Sequence, residues 1–334
     1  MVNILIRVDG NNIIGLGHIY RTLALSKRLL NHKIIFASKE ENQLGINMLQ
    51  KNNCNLKSFS NSLQFWKIVK NVKPSIVIND ILDTQKEYIE ELKRLQIFVV
   101  NFEDLGEGAK LADIVINALY DKKNSFKNYF WGKDYYILRE EFFSIGKKEI
   151  KKNVNNILIT YGGVDPNNYS KKILEIVEQL NLNNIKVNVI LGLGYKDPRK
   201  LREDTKDFSL KVTIKQNIKD ISKYMYEADI AFTSAGRTVY ELASIGIPTI
   251  VLAQNKRELL HTFAHEDNGI INLGLGYKCS DQKIRDNLLN LIEDFDLRKR
   301  INLLMLKNNL RSGINNVLGL IFSEFEKFEE KENK

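Results

Sequence analysis

Ile4-Leu5-Ile6-Arg7-Val8-Asp9-Gly10-Asn11-Asn12-Ile13-Ile14-Gly15-Leu16-Gly17-His18-Ile19-Tyr20-Arg21 is the stretch from which the fold can be read. Branched aliphatic residues dominate positions 4 to 8, the composition of a strand covered on both faces. Gly15 and Gly17 permit backbone angles and a closeness to ligand that side chains forbid. Leu23, Leu25, Leu29 and Leu30, with Lys27 and Arg28 between them, predict a helix with one apolar side. Strand, glycine loop and helix in that order place His18 at or near a helix N-terminus, at the carboxyl end of the first strand. That is the edge of an open α/β sheet at which ligands bind. Amide groups at a helix start attract anions and disfavour positive charge, so an imidazole held there is expected to be uncharged near pH 7, as a general base must be. Arg21, one turn further on, is placed to hold an anionic group in the same cleft. The plainer alternative is a histidine that merely ends a loop; the flanking glycines and the strand-loop-helix setting favour function.

The alternation continues outward from this stretch. Strands are predicted at 4–8, 33–37, 56–59, 75–79, 97–101 and 113–117, with helices near 21–30, 43–51, 62–72 and 86–95, a parallel doubly wound pattern. Several of these strands end in polar residues: Asn79-Asp80, Asn101 with Glu103-Asp104, and Asn117. Carboxylates and amides gathered at strand ends suit a cleft that reads a sugar or another polyol, although a single polar strand end is ordinarily a turn or cap.

At 334 residues the chain is long for one core, and two domains are expected. The break falls around 139–155, where Arg139-Glu140-Glu141-Phe142-Phe143 gives way to the lysine-rich Gly146-to-Asn153 segment, so the domains are read as 1–145 and 154–334. The last helix is a candidate to pack back on the first domain, and 322–334 is expected to be charged helix that frays. A second α/β series opens with Ile157-Leu158-Ile159-Thr160-Tyr161-Gly162-Gly163-Val164-Asp165-Pro166 and a helix from about Asn167, again a phosphate-tolerant turn. Further strands are predicted at 186–191, 210–214, 229–233 and 248–252, and helices at 218–227, 237–245 and 256–266, with three more to the end.

The densest chemistry of this half is Thr233-Ser234-Ala235-Gly236-Arg237-Thr238-Val239-Tyr240-Glu241. Small residues after a strand let the backbone approach a diphosphate, and Arg237 and Thr238 add charge and a hydroxyl at a helix start. Glu241, about one turn in, is placed to accept two hydrogen bonds from a ribose diol; a capped helix with a solvated Glu241 is the plain alternative. Gln254-Asn255-Lys256-Arg257-Glu258 forms another loop at a strand end.

Composition narrows the classes. With 43% hydrophobic and 27% charged residues the chain is an ordinary soluble globular sequence. A net charge of +9 is spread along the chain without a basic block or aromatic-basic interleave, so no nucleic-acid partner is expected. No apolar run of about 18 residues and no basic-then-apolar leader is found, so neither a spanning helix nor a signal peptide is indicated. Cys54 and Cys279 suggest no disulfide framework, and a cytoplasmic location fits best. Gly15-Leu16-Gly17 fits a dinucleotide fingerprint poorly because the third glycine position is Tyr20, even with Glu40 available as a ribose acid. No Gly-x-Ser-x-Gly elbow is present. His261 and His265, four apart on a predicted helix, lack the acid motif of a zinc site, so neither metal nor cofactor is expected.

Arg7-Val8-Asp9 with Gly15-Leu16-Gly17-His18-Ile19-Tyr20-Arg21, Leu138-Arg139-Glu140-Glu141-Phe142, Tyr161-Gly162-Gly163-Val164-Asp165, and Ser234-Ala235-Gly236 through Glu241 resemble the UDP-sugar hydrolase family of the pseudaminic acid pathway and the spore-coat polysaccharide proteins. These are similar in turn to the peptidoglycan N-acetylglucosaminyl transferase. The resemblance spans roughly residues 3 to 275. It implies two Rossmann-like domains in a glycosyltransferase-B-type architecture, with a UDP-sugar between them and the nucleotide on the second. It implies that His18 is the base that activates water at the anomeric carbon, with inversion and release of UDP. Asp9, Gly15, Gly17, Arg21, Asn79, Asp80 and Asn255 are the candidate substrate-binding residues, Asn255 at part of the sugar or diphosphate on the same likeness. Gly162, Gly163, Ser234, Ala235, Gly236, Arg237 and Thr238 hold the nucleotide, and Glu241 its ribose. A glycosyltransferase using His18 on an acceptor hydroxyl is the alternative. It draws on one departure from the hydrolases: Asn79-Asp80-Ile81 stands where they carry Asp-His-Tyr.

Overall fold

The computed structural model describes residues 1–11, 14–122, 126–182 and 184–332. Asn12 and Ile13 of the glycine loop, and the last two positions of the expected fraying tail, lie outside the described residues. The chain divides into two compact units, 1–139 together with the chain from Ser312 on, and 140–311.

In the first unit β1 (Asn3–Val8), α1 (Gly17–Ser26), β2 (Lys33–Lys39), α2 (Gln43–Lys51), β3 (Leu56–Phe59), α3 (Ser62–Val72), β4 (Ile76–Asp80), α4 (Lys86–Arg94), β5 (Phe98–Phe102), β6 (Ile114–Asn117) and β7 (Tyr129–Trp131) follow one another. The strands form one sheet in the order β3-β2-β1-β4-β5-β6-β7, every described pairing parallel. The chain thus builds leftward from β1 to β3, then returns to the other side of β1 with β4. Helices on either side of that reversal leave for opposite faces, which opens a crevice at the carboxyl ends of β1 and β4. Register is tight there: Arg7 pairs with Asn79 and Val8 with Asp80. Leu5, Ile35, Val77, Val99 and Val115 present one buried face to Phe65 and Val69 of α3 and Ile89 and Leu92 of α4. β7, an edge strand of three half-buried aromatic residues, is not among the expected strands.

The second unit runs α5 (Glu141–Ser144), β8 (Asn156–Ile159), α6 (Tyr169–Gln179), β9 (Lys186–Leu191), α7 (Pro198–Asp204), β10 (Lys211–Gln216), α8 (Ile221–Glu227), β11 (Ile230–Thr233), α9 (Thr238–Ile245), β12 (Thr249–Ala253), β13 (Ile270–Leu275), α10 (Asp281–Glu293) and α11 (Phe295–Lys307). Its strand order, β10-β9-β8-β11-β12-β13, repeats the plan of the first sheet, with the reversal between β8 and β11. The final helix α12 (Gly313–Glu332) belongs to the first unit, where Phe325 and Phe328 each meet Phe98 edge-on with ring centroids 5.5 Å apart.

Two features differ from the reading of the sequence. The lysine-rich 146–153 stretch is built into the second unit rather than strung as a connection. Lys148 is buried in an ion pair with Asp229 at 3.1 Å, and the buried Arg298 of α11 donates to the carbonyls of Lys151 and Lys152 at 3.1 and 2.6 Å. The expected helix over 256–266 is two short 3₁₀ turns, 258–260 and 266–268, because its side chains are spent on tertiary partners described below. Among the described residues no helix is long and apolar enough to cross a membrane.

Candidate functional site

α1 begins at Gly17, so His18 occupies its first turn immediately beyond the β1 edge. Gly15 has a φ of +78° and its N–H donates to the Asn11 carbonyl at 2.9 Å, which folds the loop back on itself ahead of the helix. The His18 side chain points at the end of β4, where Nδ1 hydrogen-bonds Asp80 Oδ1. Arg21, one turn along the same helix, grips the same carboxylate from the other side: Nε donates to Oδ2 and Nη2 to Oδ1, both at 2.6 Å. Its remaining arm, Nη1, donates to Glu103 Oε1 at 2.8 Å, just past the end of β5. All four side chains are buried.

Electrostatics gives this chain of groups a direction. Burial by itself pushes the Asp80 carboxyl up, but Arg21 and His18 outweigh it and hold its pKa at about 2. Burial likewise works against the Arg21 charge, and Asp80 and Glu103 more than restore it. Asp80 is therefore an anion that can only accept, so the proton between it and His18 sits on Nδ1. In the uncharged ring that tautomer leaves Nε2 as the acceptor nitrogen, the atom a general base uses.

Several residues expected to touch substrate have partners within the protein. Arg21 is 2% exposed and gives three of its five N–H donors to Asp80 and Glu103, so its charge is balanced by carboxylates of the protein. Asp80 acts on His18 and is itself fully buried. Asn79 donates to Asn101 at 2.8 Å and accepts from the Tyr88 hydroxyl at 2.7 Å. Asp9 forms a two-pronged pair with Arg7, both contacts at 2.7 Å, and also accepts from Asn42 at 2.6 Å. The polar strand ends are thus largely a lattice that fixes loops: Asn101 continues to Asp104 at 2.6 Å, and Asp104 takes the Thr84 hydroxyl at 2.6 Å. Glu103, seen in the sequence only as one more polar strand end, is the partner the reading missed. Its signal is an acid just after a strand adjacent to the one carrying Asp80.

The second unit's reversal point is made of backbone. Gly162, at a φ of +74°, follows β8, and a Cβ on it would lie 3.6 Å from the Thr238 hydroxyl at the start of α9. Residues from the two expected nucleotide turns are thereby brought side by side. A third turn joins them: the position of a Cβ on Gly192, just after β9, is 2.3 Å from the carbonyl oxygens of both Gly162 and Gly163, so only glycine fits. Gly194 N–H then donates to Gly163 at 3.0 Å. Gly192-Leu193-Gly194 was legible as glycines directly after a strand and went unread. Asp165 caps α6 by accepting from the N–H groups of Tyr169 at 2.9 Å and Ser170 at 2.8 Å, and it accepts from the Gln254 side chain at 2.8 Å.

The Ser234-Ala235-Gly236-Arg237 turn leads from β11 into α9, with Glu241 buried in the helix's first turn. It is gripped by the loop after β12. Glu258 Oε2 accepts from the N–H groups of Ala235 at 3.2 Å and Gln254 at 2.8 Å, and His261 Nδ1 donates to the Ala235 carbonyl at 2.8 Å. Asn255 caps this short turn, accepting from Glu258 N–H at 3.1 Å. His261 and His265 do not share a helix: the first follows one 3₁₀ turn and the second caps the next.

Comparison with known proteins agrees with this fold. Residues 156–310 match the glycosyltransferase family 28 C-terminal domain. The chain is 33% identical to an uncharacterised protein of Methanocaldococcus jannaschii over 276 residues, 76% of this chain and 56% of that protein. It is 26% identical to the spore coat polysaccharide biosynthesis protein SpsG of Bacillus subtilis over 241 residues, 69% of this chain and 71% of that one. It is 25% identical over 196 residues, 57% of this chain and 35% of the other, to a Helicobacter pylori protein named as pseudaminic acid cytidylyltransferase and UDP-2,4-diacetamido-2,4,6-trideoxy-β-L-altropyranose hydrolase. The chain spans about half the length of the first of these relatives. Among solved structures, MurG of Acinetobacter baumannii superposes with a TM-score of 0.68 at 15% identity, covering 96% of this chain and 99% of that one. Two parallel-sheet α/β units with glycosyltransferase-B-type neighbours are the architecture.

Proposed function

We propose that the protein is a nucleotide-sugar enzyme that transfers the sugar to an acceptor hydroxyl. The observation that carries the reading is the buried His18–Asp80–Arg21 chain at the reversal of the first sheet. A nucleophile's O–H donates its proton to His18 Nε2 while its oxygen attacks the anomeric carbon. The C1–O bond to the diphosphate breaks, its electron pair leaves with the nucleotide, and the anomeric centre inverts. Asp80 stabilises the imidazolium that forms and keeps the ring in the productive tautomer. The second unit supplies the nucleotide's anchor: Gly162, Gly163 and the Ser234–Thr238 turn at the diphosphate, and Glu241 at the ribose. The match of 156–310 to a glycosyltransferase C-terminal domain supports that assignment.

Hydrolysis is the second reading, with water in place of the acceptor, favoured by the likeness to the Helicobacter pylori protein. The test incubates UDP-linked acetamido sugars with the protein and follows UDP and free sugar. Release that waits for an added polyol or glycan acceptor supports transfer, and prompt release in buffer alone supports hydrolysis. No UDP released with either, across the sugar panel, sinks both.

A further inference from the structure

The Ser234–Gly236 turn already holds an anion, and the anion is the protein's own. The Glu258 carboxylate takes the Ala235 N–H at 3.2 Å and the Gln254 N–H at 2.8 Å, and the Ser234 hydroxyl is its third donor. Its other oxygen lies 3.6 Å from where a Cβ on Gly236 would stand. The Ala235 amide and Ser234 hydroxyl of the strand-to-helix turn, converging with the Gln254 amide from the loop after β12, offer the kind of donors that a phosphate oxygen uses. The turn carrying Glu258 is strapped to the same peptide at its other end, where His261 Nδ1 donates to the Ala235 carbonyl at 2.8 Å. Residue 235 is thus bracketed by the 258–261 segment through both its N–H and its C=O.

Simple bracing of the turn does not call for a charge. A neutral acceptor would brace it without burying a carboxylate, and burial drives the Glu258 carboxyl upward, with Asp165 adding like charge. Asp165, Tyr161 and Tyr169 from the β8–α6 side and His261 from the turn itself are among the ionisable groups that bear on this site, and Arg237 and Arg257 adjoin it in the chain. A carboxylate here must repel any diphosphate brought to the turn.

We propose that Glu258 is an internal surrogate for the nucleotide's diphosphate: it fills the turn while the site is empty and is displaced, with the 258–261 segment, when the nucleotide arrives. This rests on the nucleotide site proposed above. The unliganded turn stays ordered because it is never without an anion. Return of Glu258 then competes with the spent nucleotide diphosphate and speeds its departure.

Isothermal titration of UDP into the full-length protein and into E258Q tests this, with uridine as the phosphate-free control. E258Q is expected to bind UDP about tenfold more tightly than the parent, with uridine affinity unchanged. Hydrogen exchange of residues 257–262 in the parent is expected to quicken on adding UDP, a readout that does not depend on any variant folding. Equal or weaker UDP binding by a folded E258Q, or slower exchange of that segment on binding, overturns the surrogate and leaves Glu258 a brace. If the parent itself shows no binding of UDP, the nucleotide site fails, and the surrogate with it.

Discussion

At the β1/β4 edge of the first sheet the chain places four buried charged or titratable side chains in a row, His18, Asp80, Arg21 and Glu103. At the β8/β11 edge of the second it places glycines and backbone amides, with the Glu258 and Asp165 carboxylates bonded to amides there. The two sheets share one strand plan, so topology alone does not tell them apart. Side chains with tunable protonation suit proton transfer, whereas fixed N–H dipoles that cannot titrate suit holding an anion. On the proposed function, one fold used twice supplies a reactive edge and a holding edge, and residue choice at the reversal point sets which is which.

Three substitutions test that contrast. The largest effect belongs to His18→Ala, which removes the proposed base. Turnover is expected to fall by about 10²–10⁴-fold, the usual worth of general acid–base catalysis, while titrated UDP affinity stays near the parent value. Equal losses of both would place His18 on the holding side.

Asp80→Asn comes next. It strands the buried Arg21 charge with Glu103 alone, and breaking such a buried pair costs about 3–5 kcal/mol in urea unfolding at pH 7. The pH dependence has a definite sign. Asp80 has a folded pKa of about 2 against an ordinary 3.8, so its contribution is fully present above the ordinary value and is lost as pH falls through 2. That window is worth about 2 kcal/mol at 1.36 kcal/mol per pKa unit. The gap between parent and Asp80→Asn should narrow as pH drops from 4 to 2; a constant gap would mean Asp80 is not held as an anion.

The smallest of the three is Gly192→Ala. Its Cβ would arrive 2.3 Å from two carbonyl oxygens of the Gly162–Gly163 turn and force that turn to shift. A loss of about 1–3 kcal/mol in stability is expected, together with weaker UDP binding, while the His18 edge stays intact. Single-turnover rates at saturating UDP-sugar separate the two: they should survive Gly192→Ala and collapse in His18→Ala.

The alternation of strands and helices was plain because each element's signal is local. Ile4–Val8 reads as a doubly covered strand from its own five residues, and Gly236 as a turn from its neighbours. β13 escaped notice because Gly274 interrupts the Ile270–Leu275 run, and β7 because three aromatic residues in a row carry no alternation. The predicted helix over 256–266 failed for a different reason. Glu258 and His261 spend their side chains on Ala235, and those tertiary bonds outweigh helix propensity.

The order of residues along the chain determined two α/β series, the turn ahead of His18, and the small-residue turn at 234–236, since each depends on spacing over a few positions. What Arg21 does was decided only in three dimensions. Its partners lie 59 and 82 residues away, and strand order alone puts the ends of β4 and β5 where its guanidinium can reach. An arginine near a glycine loop looks the same whether it faces a substrate or a neighbouring carboxylate. Which one it faces depends on the buried charge beside it, a property of the packed sheet and not of the local sequence.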